Sequence, residues 1–245
     1  MIELTNISKS YDSTRVLEPL DLVIQRGRTT VLIGPSGCGK STLLRIMVGL
    51  ETADGGRVCF DGVELTPANA PEMRRQMGYV LQDGGLFPHL TARENVTLLA
   101  RYLGKSSRKQ LDTRVSELAD LTRVPCQFLD RYPTQLSGGQ RQRVAIMRAF
   151  MLDPKVVFLD EPMGALDPLV RFDLQEDLRQ IFLALGKTVV LVTHDMGEAG
   201  FFGDPIILLS DGRIVQQGSL REMIEKPVDP FVTRIIQAQR LPIAV

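Results

Sequence analysis

Residues 34–41 read Gly-Pro-Ser-Gly-Cys-Gly-Lys-Ser, which matches the pattern G-x-x-x-x-G-K-[ST]. The short β-branched run of residues 29–33 comes directly before them, and apolar residues with helical spacing come after: Leu43, Leu44, Met47 and Leu50. A strand, a glycine-rich turn and a helix in this order surround a polyphosphate with backbone N–H groups, and the helix adds the positive end of its dipole. A glycine-rich turn without a ligand is the alternative, but it does not require this spacing.

The residues of this loop have separate expected roles. Lys40 is expected to reach the β- and γ-phosphates of ATP, and the hydroxyl of Ser41 is expected to bind Mg²⁺. Glycines suit the loop because side chains would block the approach of the phosphates to the backbone. Cys38 is interpreted as a tolerated small residue, and sensitivity to alkylation at this thiol is the alternative. The predicted nucleotide contacts are Gly34, Pro35, Ser36, Gly37, Cys38, Gly39, Lys40, Ser41 and Thr42.

A second candidate feature is the apolar run of residues 156–159, which is followed by two carboxylates, Asp160 and Glu161. Parallel α/β sheets bind their ligands beyond the carboxyl ends of the strands, where the phosphate loop also begins. Asp160 is suited to hold Mg²⁺ through water, and Glu161 is suited to orient or deprotonate an attacking water. The alternative is a solvated helix cap that leads into Pro162.

The segment Leu136-Ser137-Gly138-Gly139-Gln140 opens a predicted helix. Ser137 is a suitable N-cap, and the two glycines leave the backbone N–H groups accessible. The segment is therefore a second candidate anion site. A capped helix without a ligand would explain Ser137 but not the whole pentapeptide.

The composition is that of an ordinary globular protein, because 44% of the 245 residues are hydrophobic and 24% are charged. The formal net charge is zero, which argues against a nucleic-acid-binding protein and against a polybasic membrane tether. No apolar run approaches the roughly 18–20 residues that span a bilayer, and the N-terminus lacks the features of a signal peptide. We therefore expect a cytoplasmic chain whose membrane contact goes through a partner. The three cysteines, Cys38, Cys59 and Cys126, are interpreted as reduced thiols.

The rest of the chain alternates between strand and helix patterns. Strands at residues 156–159 and 188–192, with a helix at residues 169–185 between them, predict a parallel sheet covered by helices. Helical spacing from residue 91 to about residue 150 predicts a helical insertion. Further strands are predicted at residues 2–7, 20–24, 78–81 and 206–209, with a polar loop between the first two and hairpin turns at residues 61–62 and 211–212.

With these motifs in this order, the chain resembles an ATP-binding subunit of the ABC transporter family over essentially its full length. The resemblance implies an α/β fold: a P-loop NTPase core with a parallel RecA-like sheet, an N-terminal antiparallel β subdomain and an inserted helical subdomain. It also implies a single ABC ATPase domain, residues 1–240, and a short C-terminal helical tail without a regulatory domain. The implied bounds are residues 1–87 and 151–218 for the catalytic core with the β subdomain, 88–150 for the helical subdomain and 219–245 for the tail.

The resemblance also assigns roles to single residues. Tyr11 resembles the aromatic residue that stacks on adenine, and Gln82 resembles the glutamine that touches Mg²⁺ and water and relays the nucleotide state to membrane subunits. Asp167 lies in the loop that is implied to cross a dimer interface, and His194 resembles the histidine that contacts the γ-phosphate. The implied catalytic residues are Glu161, His194 and Lys40, and the implied metal ligands are Ser41, Gln82 and Asp160.

Family architecture implies that Ser137, Gly138, Gly139 and Gln140 contact the ATP held by a second subunit. The chain is therefore expected to work as a homodimer, or with a paralogous ATPase subunit, that sandwiches two ATP molecules with Mg²⁺. The other implied partners are integral membrane permease subunits at the cytoplasmic face of the cell membrane and, indirectly, a solute-binding protein, but no nucleic acid. Residues 86–88, Leu-Phe-Pro, are implied to form a permease-binding groove with the helical insertion, and local packing is the alternative.

Residues 161–168, Glu-Pro-Met-Gly-Ala-Leu-Asp-Pro, resemble import-type subunits, and residues 163–168 with the following helix are similar to the quaternary-amine (osmoprotectant) group. Polar amino acid, sulfate and polyamine systems are left open. The alternative class is an ABC ATPase coupled to a non-import membrane complex of the cell-division or lipoprotein-release type. Soluble chromosome, repair or translation ATPases are disfavoured because they need a coiled-coil insertion or tandem cassettes. A simple P-loop kinase would not need residues 136–140.

Overall fold

The computed structural model describes residues 1–104 and 106–239. The chain divides into two compact units, one built from Met1–Arg74 and Thr188–Val245 and the other from Arg75–Lys187. The predicted tail belongs to the first unit, and its residues 240–245 lie outside the described part. Within the described ranges, no helix combines the length and the apolar character needed to cross a bilayer.

The elements alternate along the chain as the sequence pattern predicts. The strands are β1 (Ile2–Tyr11), β2 (Thr14–Ile24), β3 (Thr29–Ile33), β4 (Gly55–Phe60), β5 (Val63–Glu64), β6 (Met77–Val80), β7 (Val156–Asp160), β8 (Thr188–Thr193), β9 (Ile206–Ser210) and β10 (Arg213–Gly218). The helices are α1 (Lys40–Val48), α2 (Ala70–Arg74), α3 (Ala92–Leu103), α4 (Arg108–Leu121), α5 (Gly138–Phe150), α6 (Pro168–Leu185), α7 (Met196–Phe202), α8 (Leu220–Glu225) and α9 (Pro230–Ala238). Two 3₁₀ turns, Cys126–Phe128 and Pro133–Gln135, lie between α4 and α5.

The first unit contains an antiparallel sheet with the strand order β2-β1-β4-β5. The predicted polar loop between residues 7 and 20 is wrong, because β1 and β2 continue to a two-residue turn at Asp12 and Ser13. Both turn residues have a positive φ, 45° and 68°, which matches the twist of a tight hairpin. The strands have the polar composition of a loop here because one face of an antiparallel sheet can face water.

The first unit also contains parallel strands, in the order β10-β9-β3-β8. β3 is paired in parallel with β8 on one side and with β9 on the other, and β10 runs antiparallel to β9. Every residue of β8 is buried, as expected for a parallel strand that is covered on both faces. The predicted strands at residues 29–33, 188–192 and 206–209 and the hairpin at 211–212 are confirmed.

The helix after the phosphate loop is shorter than predicted. Gly49 adopts φ 70° and its N–H bonds back to the last turn, which ends α1 at Val48. Leu50 therefore lies beyond the helix and is 51% exposed, so its predicted place on the buried face is wrong. Leu43, Leu44 and Met47 are buried as predicted.

The second unit pairs β6 with β7 in parallel, α5 packs against β6, and α3, α4 and α6 pack against α5. A buried carboxylate ties α5 to α6. The side chain of Asp177 on α6 is 1% exposed, Arg123 approaches it to 2.8 Å, and Arg143 on α5 contacts its other oxygen. The angles are poor for hydrogen bonds, so the attraction is chiefly Coulombic.

We expect Asp177→Asn to lower the free energy of unfolding by about 3 kcal/mol, because it leaves the largely buried Arg143 without its anion. The measurement is urea denaturation followed by circular dichroism. Asp173→Asn is the matched control, since Asp173 is exposed one turn earlier on α6, and it should change the free energy by less than about 0.5 kcal/mol. Equal effects of the two substitutions would contradict a structural role for the Asp177 ion pairs.

Candidate functional site

The register of the parallel strands determines which side chains share an edge of the first unit. Ile33, the last residue of β3, pairs with Thr193, the last residue of β8. The phosphate loop starts directly after β3 at Gly34, and His194 directly follows β8. Because parallel strands end at the same edge of a sheet, the loop and the predicted γ-phosphate histidine start side by side at that edge of the first unit.

Lys40 is the first residue of α1, and it is only 5% exposed. Its ammonium donates hydrogen bonds to the carbonyl oxygens of Gly34 (2.8 Å) and Pro35 (2.9 Å). These bonds fold the side chain back over the loop, so that a buried positive charge lies beside the N-terminus of α1. Residues 35–37 at the tip of the loop are exposed. The result is an electropositive backbone turn that is open to solvent, as an anion site requires.

The glycines of the loop are required by the protein as well as by a ligand. A Cβ at Gly34 would lie 2.1 Å from the carbonyl oxygen of Leu209, so no side chain fits there. Gly37 has room for a Cβ, but its φ of 81° is one that side-chain-bearing residues rarely adopt. The sequence pattern predicts the glycines because the phosphates must approach the backbone closely. The contact of position 34 with β9 is a second reason for a glycine there.

Cys38 is buried within the loop and lies near Lys40, with 3.9 Å between the ammonium and Sγ. Burial raises the pKa of the Cys38 thiol, and the positive charge of Lys40 opposes part of that shift. A thiol with a raised pKa is mostly protonated at neutral pH and is a poor nucleophile. The structure therefore favours the interpretation of Cys38 as a tolerated small residue over the alkylation hypothesis. Cys59 and Cys126 are also free thiols.

Tyr11 ends β1 and is 40% exposed. The ammonium of Lys9 lies 5.1 Å from the centre of its ring. The partner strand β2 reaches the phosphate loop, because a Cβ at Gly39 would lie 2.6 Å from Leu17 Cδ2. An exposed ring on a hairpin that contacts the loop is suited to stacking on a base, as predicted for Tyr11.

The second unit brings three predicted residues to the end of its parallel strands. Val80 of β6 pairs with Leu159 of β7, so Gln82 and the carboxylates Asp160 and Glu161 follow neighbouring strand positions. Asp160 is 7% exposed and accepts a 3.4 Å hydrogen bond from the hydroxyl of Tyr79.

Gln82 and Glu161 converge on Gly164. Glu161 has a φ of 46°, a strained conformation for a residue with a side chain. A Cβ at Gly164 would lie 3.5 Å from Glu161 Oε2 and 3.6 Å from Gln82 Nε2. The Glu161 carboxylate and the Gln82 amide therefore both lie beside Gly164, where a Cβ would only just touch each of them.

The predicted second anion site forms a capped helix start. Ser137 is the N-cap of α5: its Oγ accepts a hydrogen bond from the Gln140 N–H (3.3 Å), and Gln140 Oε1 accepts one from the Ser137 N–H (2.9 Å). A Cβ at Gly139 would lie 2.5 Å from Val170 of α6. The glycine therefore lets the start of α5 approach the start of α6, whose N-cap is Asp167 with a 3.1 Å bond from the Val170 N–H.

Sequence reasoning missed two residues that hold the segment after Gln82. Asn95 on α3 is fully buried, and its amide donates to the carbonyls of Phe87 (3.1 Å) and Leu90 (3.0 Å) and accepts from the Phe87 N–H (2.7 Å). The sequence contains a signal for Asn95, because an amide side chain on the apolar face of a helix needs polar partners. Phe87 itself is 44% exposed.

Arg148 is the second missed residue, and it lies near the end of α5. Its guanidinium donates to the carbonyls of Gly85 (2.7 Å) and Gly84 (2.8 Å), which lie three and two residues beyond Gln82. Burial lowers the pKa of Arg148, and Asp83 opposes the shift, but an arginine remains charged under all ordinary conditions. The helix that begins at Ser137 therefore also fixes the backbone that follows Gln82.

A phosphate loop between a parallel strand and a helix, with carboxylates at the end of another parallel strand, defines a P-loop nucleotide-binding domain. The family model described as ABC transporter matches residues 17–164. The chain belongs to the ABC transporter family. The predicted family and the predicted fold class are therefore confirmed.

Relatives and solved structures of this family match almost the whole chain. The glycine betaine/carnitine/choline transport ATP-binding protein OpuCA of Bacillus subtilis (strain 168) is 40% identical over 242 residues, which cover 98% of this chain and 63% of OpuCA. The chain thus spans less than two thirds of the length of that relative. The sulfate/thiosulfate import ATP-binding protein CysA 2 of Agrobacterium fabrum (strain C58) is 44% identical over 236 residues, 96% of this chain and 68% of CysA 2.

The chain is also similar to a solved dimeric structure, a post-hydrolysis state of the ATP-binding cassette MJ0796 bound to ADP and Pi. The identity is 36% and the TM-score is 0.81, and the match covers 90% of this chain and 99% of that chain.

We expect Asn95→Leu, which keeps the volume of the side chain, to lower the free energy of unfolding by about 2–3 kcal/mol, because it removes a hydrogen-bond partner from four backbone groups. It should also speed hydrogen exchange at the Phe87 N–H, which donates to Asn95 Oδ1. Thr97→Val is the control, since it removes only a bond within α3. Unchanged exchange at Phe87 would show that Asn95 does not hold this segment.

Proposed function

We propose that this chain is the ATP-hydrolysing subunit of an import ABC transporter. The observation that carries the proposal is the shared strand end of the first unit, where the Lys40 ammonium lies over an open phosphate loop and His194 emerges beside it. Family membership supports the same assignment, and relatives such as OpuCA and CysA 2 carry names that describe ATP-binding proteins of transport systems.

In the proposed reaction, the phosphate loop and Lys40 bind the polyphosphate, and His194 contacts the γ-phosphate. Glu161 orients and deprotonates the attacking water, and strain at its φ of 46° helps direct the carboxylate. Tyr11 stacks on adenine. The γ-phosphoryl group needs little covalent help from the protein, so positioning and charge stabilisation supply most of the rate enhancement.

Mg²⁺ is part of the proposal, with Ser41, Gln82 and Asp160 as its ligands. These residues offer hydroxyl, amide and carboxylate oxygens, which are the donors that Mg²⁺ prefers. Among residues 1–104 and 106–239, no group of three or more His, Cys, Asp or Glu side chains is arranged to hold a metal. Mg²⁺ usually keeps water and substrate phosphates as its other ligands.

The segment Ser137–Gln140 is proposed to bind the γ-phosphate of ATP held by a second copy of the chain. Its capped helix start is well suited to an anion. Asp167 lies beside it at the start of α6, in the position proposed to cross the same interface. One γ-phosphate would then be bound by two chains, so ATP binding closes the dimer and its hydrolysis reopens it.

The proposed dimer energises membrane permease subunits at the cytoplasmic face of the cell membrane, and a solute-binding protein delivers the cargo. The half-exposed Phe87, held beside α3 by Asn95, is the proposed contact with the permease. A quaternary amine is the proposed cargo, since OpuCA handles glycine betaine, carnitine and choline by its name. The sulfate/thiosulfate import ATP-binding protein CysA 2 has a higher identity to this chain, 44% against 40% for OpuCA. The cargo is therefore tested by co-purifying the membrane complex and identifying the solute that its binding protein holds.

We expect Glu161→Gln to bind ATP, to dimerise in its presence and to release phosphate at least about 100-fold more slowly than the parent, because the amide cannot accept the proton of water. Light scattering measures the dimer, and a phosphate-release assay measures turnover. Glu64→Gln, an exposed residue on β5, is the control. Turnover near the parent rate would remove Glu161 from the role of base.

We expect two inactive variants, Lys40→Met and Ser137→Glu, to restore activity when they are mixed. A mixed dimer pairs the intact loop of one chain with the intact Ser137 segment of the other, so about a quarter of the parent rate returns if the two sites act independently. Mixing Lys40→Met with His194→Ala is the control, because both changes fall on the same side of the site. A mixture no more active than its separate components would contradict the exchange of segments.

A further inference from the structure

The tail of the chain bonds directly to the backbone that carries His194. Gln239 follows α9, and its side-chain Nε2 donates a 2.6 Å hydrogen bond to the carbonyl oxygen of His194. Its Oε1 accepts a hydrogen bond from the N–H of Met196. One carboxamide therefore holds the chain on both sides of Asp195, at the point where β8 passes into α7.

The same turn is also held from within the first unit. Thr193 Oγ1 accepts from the Asp195 N–H (3.1 Å) and bonds to Glu198 Oε2 (2.5 Å), while Asp195 Oδ1 accepts from the Glu198 N–H (3.0 Å). These bonds fix Asp195 and the start of α7. The Asp195 N–H and the His194 carbonyl belong to one peptide group, so Thr193 and Gln239 hold this group from its two polar ends. The bond from Gln239 differs because it comes from a residue 45 positions further along the chain.

The tail is anchored firmly enough to hold Gln239 in place. Val232 and Ile236 of α9 are buried, and α9 contacts α8, which in turn contacts β10. Gln216 of β10 donates to the Lys226 carbonyl (3.1 Å) and accepts from the Val228 N–H (3.2 Å), so it fixes the link between α8 and α9.

The tail also lies next to the phosphate loop. Phe231 and Arg234 of α9 line a surface cavity of about 860 Å³ together with Pro35 of the loop and Asp211 of the β9–β10 turn. Helix α9 thus lines a cavity together with the loop residue Pro35, and Gln239, the residue directly after the helix, bonds to the histidine turn.

From this geometry we propose that Gln239 is a positioning residue for His194, so that the placement of α9 controls hydrolysis of ATP. The inference rests on the proposed function of His194 as the γ-phosphate contact. With Gln239 bonded, the His194 backbone is fixed at the strand end beside the loop. When α9 is displaced or Gln239 is replaced, the histidine loses that alignment, and turnover falls while nucleotide affinity is retained, because Lys40 and the loop still bind the phosphates.

The test compares Gln239→Met, which keeps the length of the side chain but removes both hydrogen bonds, with Gln237→Met, an exposed residue two positions earlier on α9. In the full-length chain, we expect Gln239→Met to lower kcat about tenfold and to leave KM for ATP within about twofold. Exchange of the Met196 N–H should become at least about tenfold faster. Gln237→Met should match the parent in all three measurements.

Two further variants separate positioning from a general structural effect. In a His194→Ala background, Gln239→Met should lower kcat less than about 1.5-fold further, because it acts through the missing histidine. Gln239→Glu keeps an acceptor for the Met196 N–H but puts a carboxylate against the His194 carbonyl, so it should lower kcat as much as Gln239→Met while the Met196 N–H stays protected.

These outcomes distinguish a failure of the proposed ATPase function from a failure of the positioning role of Gln239. A parent chain that hydrolyses no ATP, alone or with its permease, overturns the proposed function. A parent chain that hydrolyses ATP while Gln239→Met turns over equally fast overturns the positioning role alone, as does an equal loss in the His194→Ala background. If Gln239→Met lowers the melting temperature but does not lower kcat while KM for ATP is retained, Gln239 only stabilises the fold. That result would also overturn the proposal.

Discussion

The shape of the phosphate loop in the first unit depends on the contacts at the end of β3. The strand is enclosed by parallel neighbours on both sides, and the carbonyl of Leu209 lies so close to position 34 that the chain must turn there without a side chain. The turn leads straight into α1, and the ammonium of Lys40 is bonded to carbonyl oxygens of the turn that it follows. A buried ammonium without such partners would cost several kcal/mol, so the loop shape and the lysine stabilise each other.

In the second unit, polar side chains hold backbone segments and helices in place. Asn95 and Arg148 reach from two different helices to the backbone carbonyls that follow Gln82, and Asp177 ties α5 to α6. Ser137 stands at one end of α5 and Arg148 near the other. A shift of α5 would therefore move both the capped helix start at Ser137 and the segment after Gln82.

The strands, most helices and the phosphate loop could be predicted from the chain, because short apolar runs, helical spacing and the glycine pattern are local signals. The polar residues 8–19 predict a loop although they form strands, since a solvent-facing strand surface and a loop have similar compositions. Leu50 was placed on a helix face because spacing alone does not show where Gly49 ends the helix. Arg148 and Gln239 escaped prediction because the groups they bind are main-chain atoms of distant residues, which leave no mark in a sequence. Asn95 does leave a signal as an amide on an apolar helix face, but the sequence does not show that its partners are the main-chain groups of Phe87 and Leu90.

The amino-acid sequence by itself determined the chemistry that is available: a phosphate loop with its lysine, a carboxylate pair at a strand end and a capped glycine segment. These follow from residue type and spacing over a few positions, where backbone geometry is nearly fixed by the residues themselves. Only the tertiary structure decided that β8 ends at Thr193 opposite Ile33, the last residue of β3. It also decided that Glu161 and Gln82 both lie beside Gly164 and that Gln239 bonds to the turn of His194. Such contacts join residues far apart along the chain, so their geometry depends on strand register and helix packing, which no local pattern specifies.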